Sequence, residues 1–177
     1  MRVRAGRLKG RQLAYPRSGL RPTKDITRQA IFNVLGRRLR GSRCLDLYAG
    51  GGSLGVEALS RGAEEAVFVE QHPAIARFLR ENLRGLEGVK VVRGDVLKAL
   101  PKLTGNGFDV ILADPPYRQG LVQQTVDRVS ELGMLNPGGM MVVEHHRLEL
   151  PDAPDGWETV KQGKYGDSLI TVFRRSE

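Results

Sequence analysis

The tetrapeptide Asp114-Pro115-Pro116-Tyr117 carries the most specific chemical signal in the sequence, and it directly follows an apolar run, Phe108–Ala113, typical of a buried strand. The two prolines have no N–H donor, so the backbone carbonyls and the Asp114 carboxylate present mainly hydrogen-bond acceptors. Acceptors that hold the hydrogens of an exocyclic amino group favour the pyramidal, nucleophilic form of its nitrogen. We therefore predict that all four residues are catalytic, with Tyr117 stacked on an extruded base and no metal needed.

A glycine-rich segment, Leu45–Gly55, lies upstream, between a strand pattern and a helix pattern. Gly50, Gly52 and Gly55 match the spacing of dinucleotide-binding loops, in which the backbone approaches its ligand closely. Glu70 ends the next predicted strand, where an acid that binds a ribose belongs. These features indicate a nucleotide-type cofactor and leave NAD open.

Two further acids favour a different cofactor. Asp46 lies four residues before Gly50, where its carboxylate would repel a pyrophosphate but attract a cationic amino acid. Asp95 follows the third predicted strand, where it either accepts from an adenine amino group or caps the next helix. S-adenosylmethionine combines a ribose, an adenine and a sulfonium amino acid, so we predict it as the cofactor. The predicted contacts from these segments are Asp46, Ala49, Gly50, Gly52, Glu70, Asp95 and Val96.

Basic residues are concentrated at the N-terminus. Residues 1–43 contain thirteen Lys or Arg and one acid, whereas residues 44–177 contain fifteen basic and nineteen acidic residues, which gives the whole chain a net charge of +8. A basic segment on a mildly acidic body is typical of a phosphate-binding arm; a solvated basic face is the alternative. The predicted RNA-binding residues are Arg2, Arg4, Arg7, Lys9, Arg11, Arg21 and Arg28.

The periodicity of apolar residues predicts the elements that position these groups. Gly6–Tyr15 is expected to form a short β-hairpin or extended arm, followed by a helix that runs to about Leu39 with Ile26, Ala30, Val34 and Leu35 on its buried stripe. After Gly41, short strands alternate with amphipathic helices, which is typical of an α/β fold with a mainly parallel sheet. Strands are predicted at Arg43–Tyr48, Ala66–Glu70, Val89–Arg93, Phe108–Ala113 and Met140–Glu144, helices near Leu54–Arg61, Pro73–Leu83, Val96–Leu103 and Leu121–Leu132, and an antiparallel edge pair at Trp157–Gln162 and Leu169–Arg174.

Taken together, these motifs resemble the bacterial methyltransferases that modify the N2 amino group of a guanine in small-subunit (16S) ribosomal RNA. The resemblance extends over nearly the whole chain and is carried by Gly6–Arg11, Arg21-Pro22-Thr23 with Arg28, Asp46–Ala58, Asp114–Tyr117 and Tyr165–Ser168. It implies a Rossmann-like, seven-stranded class I methyltransferase sheet in one domain, residues 1–177, of which 1–43 form the arm and first helix and 44–177 the catalytic core. It also implies that Thr23 lies near the methionine end of the cofactor. Gly51 departs from the family, which often has serine or threonine there, and this suggests extra backbone freedom.

The expected function is therefore methylation of ribosomal RNA, in a 30S particle or assembly intermediate, by a cytoplasmic, monomeric enzyme that needs neither metal nor membrane. Three alternatives stay open at this point. A DNA adenine-N6 methyltransferase could use the same motif, although 177 residues leave little room for a DNA-recognition region. An NAD-dependent oxidoreductase would use only the glycine loop, and a non-catalytic RNA-binding assembly factor only the arm. Tyr165 and Asp167 are secondary candidates for the base pocket.

Overall fold

The structure, a computed structural model, describes residues 1–16, 25–105, 107–166 and 168–177. Its helices are α1 (Asp25–Leu35), α2 (Ser53–Ser60), α3 (Pro73–Asn82), α4 (Val96–Ala99) and α5 (Leu121–Glu131), with 3-10 turns at Gly36–Leu39 and Leu100–Leu103. Its strands are β1 (Arg43–Leu47), β2 (Glu65–Glu70), β3 (Val89–Arg93), β4 (Phe108–Ala113), β5 (Leu135–His145), β6 (Trp157–Tyr165) and β7 (Ser168–Arg175).

The strands form one seven-stranded sheet in the order β3-β2-β1-β4-β5-β7-β6. Strands β1 to β5 pair in parallel, whereas β7 runs antiparallel to both β5 and β6. The predicted α/β fold with an antiparallel edge pair is therefore confirmed. The carboxyl ends of β1, β4 and β5 lie level, because Ala113 pairs with Leu47 on one side and with Val143 on the other.

The central strands are buried on both faces, and alternate residues enter two separate cores. Cys44, Phe68 and Leu112 point into the core formed with α1, α2 and α3, whereas Leu45 and Ile111 point into the core formed with α4 and α5. This period of two explains why the strands have nearly continuous apolar sequences. Helices on both faces thus hold the central strands, and the loops that follow the strands emerge at one edge of the sheet.

The largest difference from the predicted elements is strand β5, which begins at Leu135 rather than at Met140. Leu135 pairs with Phe108, and a shift in register separates this pair from the pairing of Met140 with Val110. The intervening Pro137 and glycines are turn signals in a sequence, and here they form the irregular part of the strand. The predicted helix Val96–Leu103 is also divided into α4 and a 3-10 turn that contains Pro101 near its start.

Helix α1 buries Ala30 and Leu35, as predicted, but the start of its buried face differs from the predicted one. Ile26 is 58% exposed, whereas Arg28 is 1% exposed, although the apolar pattern placed them the other way round. The Nη2 nitrogen of Arg28 donates to the carbonyl of Arg2 at 3.0 Å and to Asp25 Oδ1 at 2.6 Å. The buried guanidinium therefore joins α1 to the N-terminal segment.

The N-terminal segment is docked on the body through buried polar groups. It turns back on itself, with a single antiparallel bridge between Arg2 and Gln12, so its first arm begins before the predicted hairpin at Gly6–Tyr15. The backbone N–H groups of Arg4 and Ala5 donate to the fully buried Glu57 of α2 at 2.8 and 3.1 Å. Within the described ranges, no helix combines the length and apolarity needed to cross a bilayer.

Candidate active site

A cavity of about 420 Å³ opens at the carboxyl ends of β1, β2, β4 and β5. This is the edge at which open parallel sheets bind their ligands. The walls include most of the residues predicted for cofactor and catalysis: Asp46, Ala49, Gly50, Glu70, Val96, Asp114, Pro115, Pro116 and Tyr117. The two predicted halves of the site, the glycine loop and the Asp-Pro-Pro-Tyr motif, therefore face one common space.

Asp46 lies at the base of the glycine loop and is 2% exposed. Its Oδ2 accepts a hydrogen bond from the N–H of Gly55 at 2.8 Å. Burial raises the pKa of Asp46 to about 8; the Gly55 hydrogen bond opposes this shift and the nearby Glu70 adds to it. A cation that entered the cavity beside Asp46 would restore the charged form of its carboxylate.

Glu70 ties two loops together at the end of β2. Its Oε2 accepts from the N–H of Gly50 and its Oε1 from the N–H of His72, each at 2.8 Å. The carboxylate is 6% exposed and also lines the cavity. It thus fixes the shape of the loop around the space in which a ribose is expected.

The structure separates three neighbouring glycines by their roles. Gly50 and Gly51 line the cavity, but Gly52, a predicted cofactor contact, does not. Gly52 instead precedes α2 with φ 85°, and a Cβ there would lie 2.6 Å from Leu79 Cδ1, so its role is in the backbone turn. Gly51 was expected to add backbone freedom; its φ is not in the left-handed region, and a Cβ there would lie 2.7 Å from the ring of Tyr15. A close approach of Tyr15 explains this glycine.

Asp95 takes the capping role that was one of its two interpretations. Its Oδ1 accepts from the N–H of Lys98 at 3.0 Å as the N-cap of α4. The side chain is exposed, and the cavity wall includes the adjacent Val96 rather than Asp95. Arg21 and Thr23, for which binding roles were predicted, lie outside the described residues, as does Asp167.

The Asp-Pro-Pro-Tyr motif leaves the end of β4 with its tyrosine anchored. The hydroxyl of Tyr117 donates to Glu144 Oε1 at 3.1 Å and shares a hydrogen bond of 2.9 Å with Ser168 Oγ. Burial raises the pKa of Tyr117 to about 12, and the carboxylates of Glu144 and Asp114 contribute in the same direction. The phenol therefore stays protonated at physiological pH, and its ring, 37% exposed, is held at the rim of the cavity.

The segment after the motif is held by Glu149, a residue to which sequence reasoning gave no role. Glu149 Oε2 accepts from the N–H of Arg118 at 2.8 Å, and Oε1 accepts from the N–H of Gly120 at 3.3 Å. Arg118 has φ 59°, an uncommon conformation for a residue with a side chain. The loop after β5 thus stabilises the turn that follows the Asp-Pro-Pro-Tyr motif.

The cavity wall also includes residues that were not predicted, among them Tyr15, Tyr48, Glu144 and Ser168. Glu144 had a usable signal, because it is an acid at the end of an apolar strand, like Asp46, Glu70 and Asp114. Tyr15 had none, since it comes from the arm and reaches the site only through tertiary packing. Its ring covers Gly51, and the buried Asn82 joins the two segments by donating to the carbonyls of Ala14 and Gly51 at 2.9 and 2.8 Å.

Comparison with known proteins identifies the family. The family described as conserved hypothetical protein 95 matches residues 1–174. Ribosomal RNA small subunit methyltransferase D of Escherichia coli K12 is 33% identical over 179 residues, which cover 99% of this chain and 90% of that protein. The protein of the same name in Haemophilus influenzae is 35% identical over 172 residues, which cover 94% and 89%. This chain belongs to their family.

Solved structures agree with this assignment. The Escherichia coli protein yhhF superposes with a TM-score of 0.90 at 32% identity, covering 99% of this chain and 98% of that one. A hypothetical protein of Thermus thermophilus gives 0.83 at 33% identity, covering 100% and 99%. An RNA methyltransferase of Salinibacter ruber, solved with S-adenosyl-L-homocysteine, shares the fold at 18% identity and a TM-score of 0.67, covering 88% and 94%. The predicted resemblance to the methyltransferase D family and the predicted class I methyltransferase fold are confirmed.

In this member of the methyltransferase D family, the basic arm presents some of its predicted RNA contacts and buries others. Arg2, Arg4, Arg7 and Lys9 are exposed. The prediction for Arg28 is wrong, because a guanidinium that is 1% exposed and bonded to Arg2 and Asp25 is inaccessible to a phosphate. Arg11 donates to the carbonyls of Asn82 and Arg84 at 3.0 and 2.8 Å, so at least part of its guanidinium stabilises the end of α3.

Proposed function

We propose that this protein transfers a methyl group from S-adenosylmethionine to the N2 amino group of a guanine in small-subunit ribosomal RNA. The observation that carries the proposal is the common cavity, in which Asp114 of the catalytic motif faces the glycine loop with its two buried acids, Asp46 and Glu70. Membership in a family with members named ribosomal RNA small subunit methyltransferase D supports the RNA substrate.

The residues around the cavity fit the cofactor in a definite orientation. Asp46 forms an ion pair with the cationic amino group of the methionine part, because the attraction of an opposite charge is strongest for a carboxylate that burial has removed from water. Glu70 has lone pairs for the ribose hydroxyls in addition to those used by the loop. Val96, with Asp95 beside it, borders the space for the adenine. Thr23 is proposed at the methionine end, as the family resemblance implies.

The catalytic step needs an activated nitrogen and a place for one proton. When bound, the cofactor supplies an electrophilic methyl group attached to a positively charged sulfur. Asp114 and the carbonyls of the motif accept the amino hydrogens and so direct the nitrogen lone pair toward that methyl group. The N–C bond forms as the S–C bond breaks, and the extra proton then leaves the nitrogen through Asp114 or water. Tyr117 stacks on the extruded base, as enzymes that flip bases require.

The remaining features of the proposal concern the substrate and the setting. The RNA is bound in a 30S particle or an assembly intermediate by a monomeric protein in the cytoplasm, and the transfer requires no metal. The exposed Arg2, Arg4, Arg7 and Lys9 support RNA binding, because neutralising phosphates releases counterions and supplies affinity without sequence specificity.

The test is methyl transfer from labelled S-adenosylmethionine to 30S particles, naked 16S RNA and duplex DNA, followed by mass-spectrometric mapping of the modified nucleoside. We expect N2-methylguanosine in the ribosomal RNA. Asp114→Ala is expected to lower the rate at least about 10²-fold while cofactor affinity measured by calorimetry is retained. Asp155→Ala, a matched change at an exposed acid far from the motif, is the control. Preferential labelling of DNA, or full activity of Asp114→Ala, would refute the proposal.

A further inference from the structure

A further buried carboxylate, Glu144, faces the same cavity as Asp114. It lies near the end of β5, is 4% exposed and forms part of the cavity wall. Ala113 and Val143 are register partners on neighbouring parallel strands, so the next residue on each strand is an acid at the same level of the sheet. Backbones of paired strands are about 4.8 Å apart. The two acids therefore leave neighbouring strands at the same level of the sheet, and both line the cavity.

Among the common bases that carry an exocyclic amino group, only guanine has two neighbouring donors on its Watson–Crick edge, as two adjacent carboxylates require. Guanine, adenine and cytosine each carry an exocyclic amino group. In guanine the neighbouring ring nitrogen, N1, bears a hydrogen and is a donor. The ring nitrogens beside the amino groups of adenine and cytosine have no hydrogen and are acceptors on their Watson–Crick edges. An ionised carboxylate only accepts hydrogen bonds, so it attracts the N1–H of guanine and repels the bare ring nitrogens of adenine and cytosine.

We propose that Glu144 is the residue that specifies guanine, by accepting the N1–H of the target base while Asp114 holds its N2 amino group. This inference rests on the proposed function, namely methylation of an exocyclic amino group on an extruded base. It adds a reason within this chain for the choice of guanine, which otherwise depends on family membership. Enzymes of this kind read a flipped base at its Watson–Crick edge.

Tyr117 fits this role for Glu144. Its hydroxyl donates to Glu144 Oε1 and is itself positioned by Ser168. A carboxylate has about four lone-pair sites, so the hydrogen bond from the phenol orients the group and does not by itself fill its acceptor positions. Because the Tyr117 hydroxyl stays protonated, it remains available as a donor to the carboxylate. The catalytic motif and the base-reading residue are thus linked by a direct hydrogen bond.

The test compares guanosine with 2-aminopurine riboside at the mapped target position, in a synthetic RNA or a reconstituted 30S particle. The analogue keeps the 2-amino group but has a bare N1 and lacks the 6-oxo group, so the N1 contact is tested by how Glu144→Gln changes the preference between the two substrates. We expect wild-type protein to prefer guanosine by about 10- to 100-fold in kcat/KM, the range for losing a hydrogen bond to a charged group. Glu144→Gln should lower activity on guanosine by a similar factor and spare or raise it on the analogue, because its amide donates to a bare nitrogen and still accepts from Tyr117.

Two further variants separate base reading from general damage. Glu131→Gln makes the same change at an exposed acid of α5 and is expected to leave both substrates unaffected. Tyr117→Phe keeps the Glu144 carboxylate and is expected to lower both activities by one factor, with the preference retained. An equal loss on both substrates in Glu144→Gln, or a wild-type protein that does not distinguish them, would overturn the inference. A wild-type protein without any preference overturns the inference even if the variant fails to fold. Failure of the proposed function would differ, because guanosine itself would then remain unlabelled.

Discussion

The raised pKa of Asp46 predicts that cofactor binding depends on pH. Without cofactor the carboxyl is protonated below about pH 8, because burial disfavours its charge. Binding a cationic amino group requires the ionised form, so cofactor and proton compete. With a pKa of about 8, the ionised fraction rises from about 1% at pH 6 to about 9% at pH 7, while an ordinary amino group stays mostly protonated. We therefore expect S-adenosylmethionine to bind about eightfold more tightly at pH 7 than at pH 6.

Isothermal calorimetry in buffers of different ionisation enthalpy measures both the affinity and the protons released. Close to one proton should leave per cofactor bound at about pH 6.5, because the carboxyl is protonated before binding and ionised after it. Asp46→Asn is the control: its amide does not titrate, so binding should be weaker and nearly independent of pH. The same affinity at pH 6 and pH 7 in the wild-type protein, or no proton release, would refute the reasoning.

Other predictions concern stability, packing and RNA binding. The pKa of Asp46 is higher in the folded protein than in the unfolded chain, so the stability that its bound proton provides is lost as pH rises from about 4 to 8. Asparagine does not titrate, so Asp46→Asn should raise the free energy of unfolding of the apo protein, measured with denaturant, more at pH 8 than at pH 5. Gly51→Ala should cost about 1 kcal/mol, and less when Tyr15 is also changed to Leu, which a double-mutant cycle detects. Lys9→Gln should lower the slope of log affinity for RNA against log salt by about one, whereas Glu158→Gln, at an exposed acid, should not lower it. Glu149→Gln should reduce kcat with little change in cofactor affinity, since it weakens the acceptor for two backbone N–H groups.

The positions of the principal acids could be predicted from the sequence because a simple physical rule governs them. Asp46, Glu70 and Asp114 each lie in the last two positions of an apolar strand or just beyond it, and the carboxyl ends of parallel strands meet at one edge of the sheet. The rule needs only the strand assignment, which periodicity supplies. Glu144 satisfies the same rule, and applying it to every strand would have identified this residue as well.

Other parts of the site depend on contacts that no local pattern encodes. Arg28 was expected to be exposed because a charged residue outside an apolar stripe usually faces water. Its burial depends on acceptors from Arg2 and Asp25, of which one belongs to a distant segment. Tyr15 likewise has no periodic neighbours that would predict its place over Gly51. Side chains that join separate segments become predictable only when the tertiary arrangement is known.

The way the arm is docked bears on how its charges act. Its backbone is fixed by Glu57 and by Asn82, both buried, so the exposed Arg7 and Lys9 project from a rigid support. A disordered basic tail would have to be ordered upon binding, which reduces the net affinity, whereas a docked arm has met that entropic cost during folding. Asn82 also holds the carbonyl of Gly51. The interactions that hold the basic arm therefore also shape the loop that lines the cavity, so a substitution at Asn82 should weaken both the proposed RNA binding and the proposed cofactor binding.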